Sequence, residues 1–264
     1  MPVIAVLSQK GGVGKTSVCL GLAEAARRQG WRTLVIDLDP QANSTEALLH
    51  HEPQLTVNDV LADGRPDIAE QAVVPGTWGE GLDVLPSEQA LEHRNRDGGG
   101  TADAASAKRL RTTLGKLRRA YDVVFIDCPP SIGELTVNAL TAADRAVTVT
   151  EPGFFALRGA EQALMTIAVV RDANNLSLRT AGIIVNRCRT NVREHTDRVE
   201  ELREAYPTLL LRPVLPERSV VAQAHGAGVP VQSLRGRQAA ELAQSFDSLM
   251  RAVTGLRAPH EESR

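Results

Sequence analysis

The run Ser8-Gln9-Lys10-Gly11-Gly12-Val13-Gly14-Lys15-Thr16-Ser17 crowds glycines, lysines and hydroxyls into one short stretch. Glycines there let successive backbone N–H groups curl inward around phosphate oxygens. Lys15 is placed to reach β- and γ-phosphates, Thr16 to offer its hydroxyl to Mg²⁺, and Ser17 to lie near an α-phosphate. The loop departs from the common pattern G-x-x-x-x-G-K-[ST], because Lys10 stands at its start and adds a cation where Lys15 already neutralises phosphate. Action of Lys10 on a second nucleotide, across a dimer interface, explains the surplus. A glycine-rich turn with two solvated lysines is the plainer alternative. Three carboxylates complete the chemistry: Asp37 and Asp39, and Asp127.

These residues must be positioned by strands and helices. Val3-Ile4-Ala5-Val6-Leu7 reads as a buried strand, and the apolar spacing of residues 18–26 as a helix ended by a C-cap glycine at Gly30. The loop therefore lies where a strand turns into a helix. Residues 32–41 read as a second strand running into a turn. Carboxylates at i and i+2 of an extended chain point the same way, and at the carboxyl end of a parallel strand they face the ligand crevice. An acidic turn punctuated by Pro40 is the alternative. Residues 121–131 bury four apolar positions and end in Asp127, placed to hold a magnesium-bound water.

The remaining expectations are helices over 56–63 (capped by Thr56 or Asn58, stopped at Gly64), 105–120, 137–143, 160–171, 194–205 and 238–253. Strands are expected over 82–87, 145–152, 178–185 and 209–211. Residues 93–103 have no apolar periodicity and read as a mobile surface loop. The alternation implies a single doubly wound, mainly parallel α/β sheet flanked by helices, one domain over 1–256 with a frayed tail at 257–264.

The motif KGGVGKT resembles the deviant Walker A loop of the ParA/MinD group of P-loop ATPases. The resemblance extends to DxDPQ at Asp37–Gln41, to YDxxxxDxPP at 121–130 (the Walker B strand) and to Phe154-Phe155-Ala156-Leu157-Arg158-Gly159. It implies that Lys10 reaches into a partner's site, that Asp39 orients or deprotonates the attacking water, that Asp37 supports the magnesium shell, and that a switch-like loop begins at Gln41 and Asn43. It also implies an adenine contact at Asn186, for which structural capping is the alternative, and a base-flanking Pro216. Arg218 stands where the family has asparagine. The function implied is that of a ParA-type partition ATPase: Mg-ATP bound, a homodimer when ATP-bound, non-specific duplex DNA as track, and a ParB-like centromere-binding protein as stimulator.

In Soj-type relatives an arginine four residues past the Pro216 position contacts DNA; here it is Val220. The substitutes are Arg187, Arg189, Arg193, Arg218, Arg235 and Arg237, with Arg235 and Arg237 favoured.

Composition bounds the partners. A formal net charge of −2 on 264 residues allows DNA binding through a local patch only, and 3% aromatics is too few for a base-stacking platform. Cys19, Cys128 and Cys188 show no CxxC and read as buried structural thiols. No apolar run is long enough to span a bilayer, and the first strand begins at once, so neither a membrane span nor a signal peptide is expected and the expected location is cytoplasmic, on the nucleoid. No helix-turn-helix precedes the first strand. Three other classes compete. A MinD-like membrane-cycling ATPase needs a C-terminal amphipathic helix, which Gly255, Pro259, Glu261 and Glu262 oppose. A cargo-positioning ATPase shares the biochemistry, and a metabolic P-loop enzyme related to dethiobiotin synthetase lacks both Lys10 and DxDPQ.

Overall fold

A computed structural model describes residues 1–94 and 106–256. In chain order the elements are β1 (Val3–Leu7), α1 (Lys15–Arg28), β2 (Thr33–Asp37), α2 (Asn43–Leu48), α3 (Val57–Asp63), α4 (Pro66–Ala72), β3 (Val74–Pro75), β4 (Leu82–Leu85) and α5 (Arg109–Leu117). There follow β5 (Val123–Asp127), α6 (Glu134–Ala142), β6 (Arg145–Thr150), α7 (Ala156–Asn174), β7 (Arg179–Val185), α8 (Arg193–Ala205), α9 (Ser219–Gly226) and α10 (Arg237–Thr254). Seven strands form one sheet in the order β3-β4-β2-β5-β1-β6-β7, parallel except for the β3 edge.

Strand side chains alternate between two cores. Ile4, Val6, Val35, Val84, Phe125 and Val147 pack with α1 and α10 on one face. Val3, Ala5, Leu34, Ile36, Val124 and Ile126 pack with helices α3 to α7 on the other. Helices on both faces explain why the strands read as continuous apolar runs. The sheet therefore offers a ligand only the ends of its strands, and there the register matters: Asp37 lies directly opposite Asp127, and Val6 is paired with Asp127 on the other side.

Sequence signals and structure agree at the caps. Thr56 closes a capping box with Asp59, accepting from Asn58 N–H while Asp59 accepts from Thr56 N–H, and Gly64 ends α3 in the left-handed region. Gly30 (φ 89°) turns the chain after α1, its N–H donating to the Arg27 carbonyl. Gly255 (φ 73°) closes α10.

Four features differ from expectation. Residues 209–211 give an isolated bridge between Leu210 and Ile183, because Pro207 and Pro213 bracket the run. Helices α4 and α9 were not expected from the sequence. The helix expected from residue 105 begins as a 3-10 turn at Ser106–Lys108 and becomes α5 at Arg109. The switch-like loop after Gln41 is helical from Asn43 (α2), for the reason given below. Residues 95–105, most of the expected glycine-rich loop, and the tail 257–264 lie outside the described residues. Among those described, no helix is long and apolar enough to cross a membrane.

Candidate functional site

The loop between β1 and α1 opens on a cavity of about 610 Å³ lined by Lys10, Gly11, Gly12, Gly14, Lys15, Thr16, Ser17, Asp39 and the first turn of α2. Gly12 and Gly14 have φ of 82° and 81°, which favours glycine. A Cβ on Gly14 would also collide with the Asn186 amide. At Gly11 and Gly12 an added methyl would meet nothing within 4 Å, so the loop's inner face borders open space, as a phosphate cradle requires. Helix α1 starts at Lys15, and its first residues Lys15, Thr16 and Ser17 line this space, so the cavity lies at a helix N-terminus, which favours an anion.

Lys15 is buried, its Nζ 2.5 Å from Asp127 Oδ1 and 3.5 Å from Asp39 Oδ2. Burial alone would lower its pKa; the charge and hydrogen bond of Asp127, and then Asp39, outweigh that and hold it above the ordinary lysine range. Asp127 is fully buried, and its second oxygen accepts from Ser44 Oγ at 2.8 Å. Asp37 accepts from Thr45 N–H and Oγ1, both at 2.8 Å, and from Asp39 N–H. Burial first, then the facing Asp127 charge, raise the Asp37 pKa. Ser44 and Thr45 are therefore why residues 43–48 are helical: the first turn of α2 is pinned to two strand-end carboxylates. Neither was singled out from sequence, although hydroxyls a few residues past a DxDP turn were the available signal.

This donor set fits Mg²⁺ bound with a triphosphate. Thr16 and Asp39 line the cavity, and Asp37 and Asp127 are fully buried at the adjoining strand ends; hydroxyl and carboxylate are oxygen donors of the kind Mg²⁺ takes alongside water and phosphate. Among the described residues no group of three or more His, Cys, Asp or Glu could hold a metal alone. Thr16, Asp127 and Asp37 are the residues that would hold the ion directly or through water, where it would neutralise phosphate charge.

Lys10 is disposed differently. Its side chain is 63% exposed and pairs with Glu151 at 2.5 Å, on the rim beside a separate cavity lined by Phe154, Phe155 and Arg158. Phe154 and Phe155 are exposed, in an edge-to-face pair, with Arg198 over the Phe154 ring.

On the other side of the loop lies a cavity of about 650 Å³ containing Asn186, Pro216 and Arg218. Asn186 Nδ2 donates to the Val13 carbonyl at 2.9 Å, so here its amide braces the phosphate loop. Pro216 pairs with Cys188 in an isolated bridge. Arg187, considered for DNA on sequence grounds, instead donates to the Gly12 carbonyl across the cavity mouth. The other arginines are in ion pairs: Arg189 with Glu217, Arg193 with Asp197, and Arg218 and Arg237 both with Glu241. Among the described residues Arg235 is exposed and in no ion pair. The three cysteines are buried, and burial raises the pKa of each.

A family model described as an AAA domain matches residues 1–180. The chromosome partitioning protein ParA of Caulobacter vibrioides is 36% identical over 87% of this chain and 85% of its own. The sporulation initiation inhibitor protein Soj of Bacillus subtilis is 31% identical over 87% and 89%. Among solved structures, cobyrinic acid a,c-diamide synthase from Mycobacterium smegmatis with bound ATP analog and magnesium superposes with a TM-score of 0.78 at 30% identity, covering 98% of both chains. An ATP complex of Cyanothece McdA shares the fold at TM-score 0.84 and 22% identity, covering 97% of both. At that identity and coverage the chain belongs to the ParA/Soj type within the ParA/MinD family of P-loop ATPases, and it hydrolyses ATP with Mg²⁺ as cofactor.

Proposed function

We propose that this chain is a DNA-partition ATPase whose two loop lysines serve two different nucleotides. Lys15 neutralises the phosphates of the chain's own ATP, held by Gly11, Gly12, Val13, Gly14, Thr16 and Ser17. Lys10 serves the nucleotide of a second copy docked face to face. Asp39 orients the attacking water, while Asp127 and Asp37 support Mg²⁺. The observation that carries this reading is the contrast between the lysines: one is buried between two acids, the other lies exposed at the cavity rim with a single partner, Glu151. A cation meant for its own site would be expected to sit inside it.

In the paired form, duplex DNA is bound without sequence preference through cations brought together from both copies, with Arg235 and Arg237 the leading contacts. A ParB-like centromere-binding protein stimulates hydrolysis and release, which places the cycle on the nucleoid. The names of the chromosome-partitioning relatives support this reading. The test is Lys10→Ala. Mg-ATP binding, followed by equilibrium titration, should persist, whereas ATP-dependent dimerisation should be lost and turnover should fall by about 10³–10⁵-fold, as for other cations supplied in trans. Normal turnover by this variant would show that Lys10 does not act across an interface.

A further inference from the structure

The phosphate-side and base-side cavities share one wall, formed by Ser17, Trp78, Arg187 and His225 among others. A molecule with phosphates in the first cavity and a base in the second must cross that wall where its phosphate chain joins its sugar. His225 stands there, in the last turn of α9, exposed to solvent, with Nε2 3.2 Å from Ser17 Oγ. Neither the loop motif nor the strand-end acids account for it.

The hydroxyl chemistry explains the pairing. Ser17 has one proton to donate. If it goes to a phosphate oxygen, the serine oxygen is left to accept, and an imidazole N–H at 3.2 Å supplies that bond. The backbone that carries the imidazole is tied down: the chain turns through Gly228 (φ 63°), whose N–H donates to the His225 carbonyl at 3.1 Å, and the Trp78 indole N–H donates to the Gly228 carbonyl at 3.1 Å. We propose that His225, acting with Ser17, is a nucleotide-binding residue that grips ADP and ATP alike at the junction of phosphates and sugar. This rests on the reading of Gly11 to Ser17 as the phosphate cradle.

The charged groups lining the cavities on its two sides are Arg187, Glu217 and Arg218, and Lys10, Lys15, Asp39 and Glu46. Partial desolvation first, then the Arg187 charge, hold the imidazole below its ordinary pKa. Phosphate against the ring favours its charged form, so the bound imidazole takes up a proton more readily than the free one. Sign follows directly: affinity is greater at low pH, where the bound imidazole is charged, and the gain is lost as pH rises through the bound imidazole's titration.

The experiment is calorimetric titration of the whole chain with Mg-ADP at about pH 5 and about pH 8, the two ends of the window in which imidazoles change charge. It compares wild type with His225→Gln, His225→Phe and Ser17→Ala, thermal melts gauging the folding of each. ADP's own ionisation affects every protein equally and drops out of the comparison. His225→Phe should weaken Mg-ADP by about two- to tenfold, the loss of one hydrogen bond. His225→Gln keeps an N–H for Ser17 and should recover much of the affinity at the higher pH, but not the tightening of several-fold that wild type shows at the lower. Wild-type affinity in both His225 variants, or the same pH dependence in wild type and His225→Gln, overturns the proposal. A Lys15→Ala control that bound Mg-ADP normally would instead overturn the phosphate-cradle reading.

Discussion

The two halves of the sheet's ligand edge handle charge in opposite ways. At the ends of β2, β5 and β1, Lys15 is buried within 3.5 Å of both Asp39 and Asp127, and Asp37 lies across the register from Asp127. Beyond β7, arginines and glutamates pair on the surface, as in Arg189 with Glu217 and Arg237 with Glu241. A desolvated charge cannot lose its partner cheaply, whereas exposed pairs contribute about 0–1 kcal/mol and are readily exchanged. By the resemblance, the first half keeps the family's loop, its DxDPQ turn and Asp127, whereas the second keeps Asn186 and Pro216 but has Arg218 for asparagine and Val220 for arginine.

The strongest way to break this contrast is Lys15→Ala. It removes the phosphate-binding cation and strands buried Asp39 and Asp127, so nucleotide binding should vanish and the fold should lose about 3–5 kcal/mol, read as a lowered denaturation midpoint without nucleotide. A variant as stable as wild type would mean the acids are not held by this pair. Asp39→Ala leaves the Lys15–Asp127 contact in place. Turnover should fall by about 10²–10⁴-fold while Mg-ATP binding persists, giving a long-lived dimer on size-exclusion chromatography with ATP. A monomer under those conditions would assign Asp39 a structural role.

On the other half the effects should be smaller and salt-dependent. Arg235→Glu with Arg237→Glu should abolish the ATP-dependent mobility shift of random duplex. Glu241→Ala, which frees Arg218 and Arg237, should strengthen it and steepen the log–log salt dependence by up to about 0.9 for each additional phosphate neutralised. Binding that ignores all three substitutions would move the DNA surface elsewhere. Smallest of all, Thr56→Ala opens the α3 capping box and should cost about 1 kcal/mol in thermal melts with no change in ATP turnover.

How much of this was legible follows the same division. The loop, the DxD turn and Asp127 could be read because their chemistry demands particular residue types at fixed spacing, and the parallel sheet because buried strands are continuously apolar. Thr56, Gly30 and Gly64 were readable because caps are local. What escaped depends on contacts between distant segments. Asn186 bonds to Val13, Arg187 to Gly12 and His225 to Ser17, partners that lie in opposite halves of the chain. Side-chain spacing carries no record of such pairings. The α2 helix escaped because its six residues are held by carboxylates on β2 and β5 rather than by an apolar stripe.

That tethering sets the size of the unit a protein engineer could transplant. Moving residues 8–17 onto another sheet would carry a lysine without its acids, and adding Asp127 would carry an acid whose second oxygen expects Ser44. Thr45 in turn receives the Ser87 N–H, and Ser87 Oγ donates to the Asp39 carbonyl. The portable module is therefore β1 with α1, β2 with α2, the residues just past β4, and β5: four neighbouring strand ends, of which the glycine loop is only the most recognisable corner.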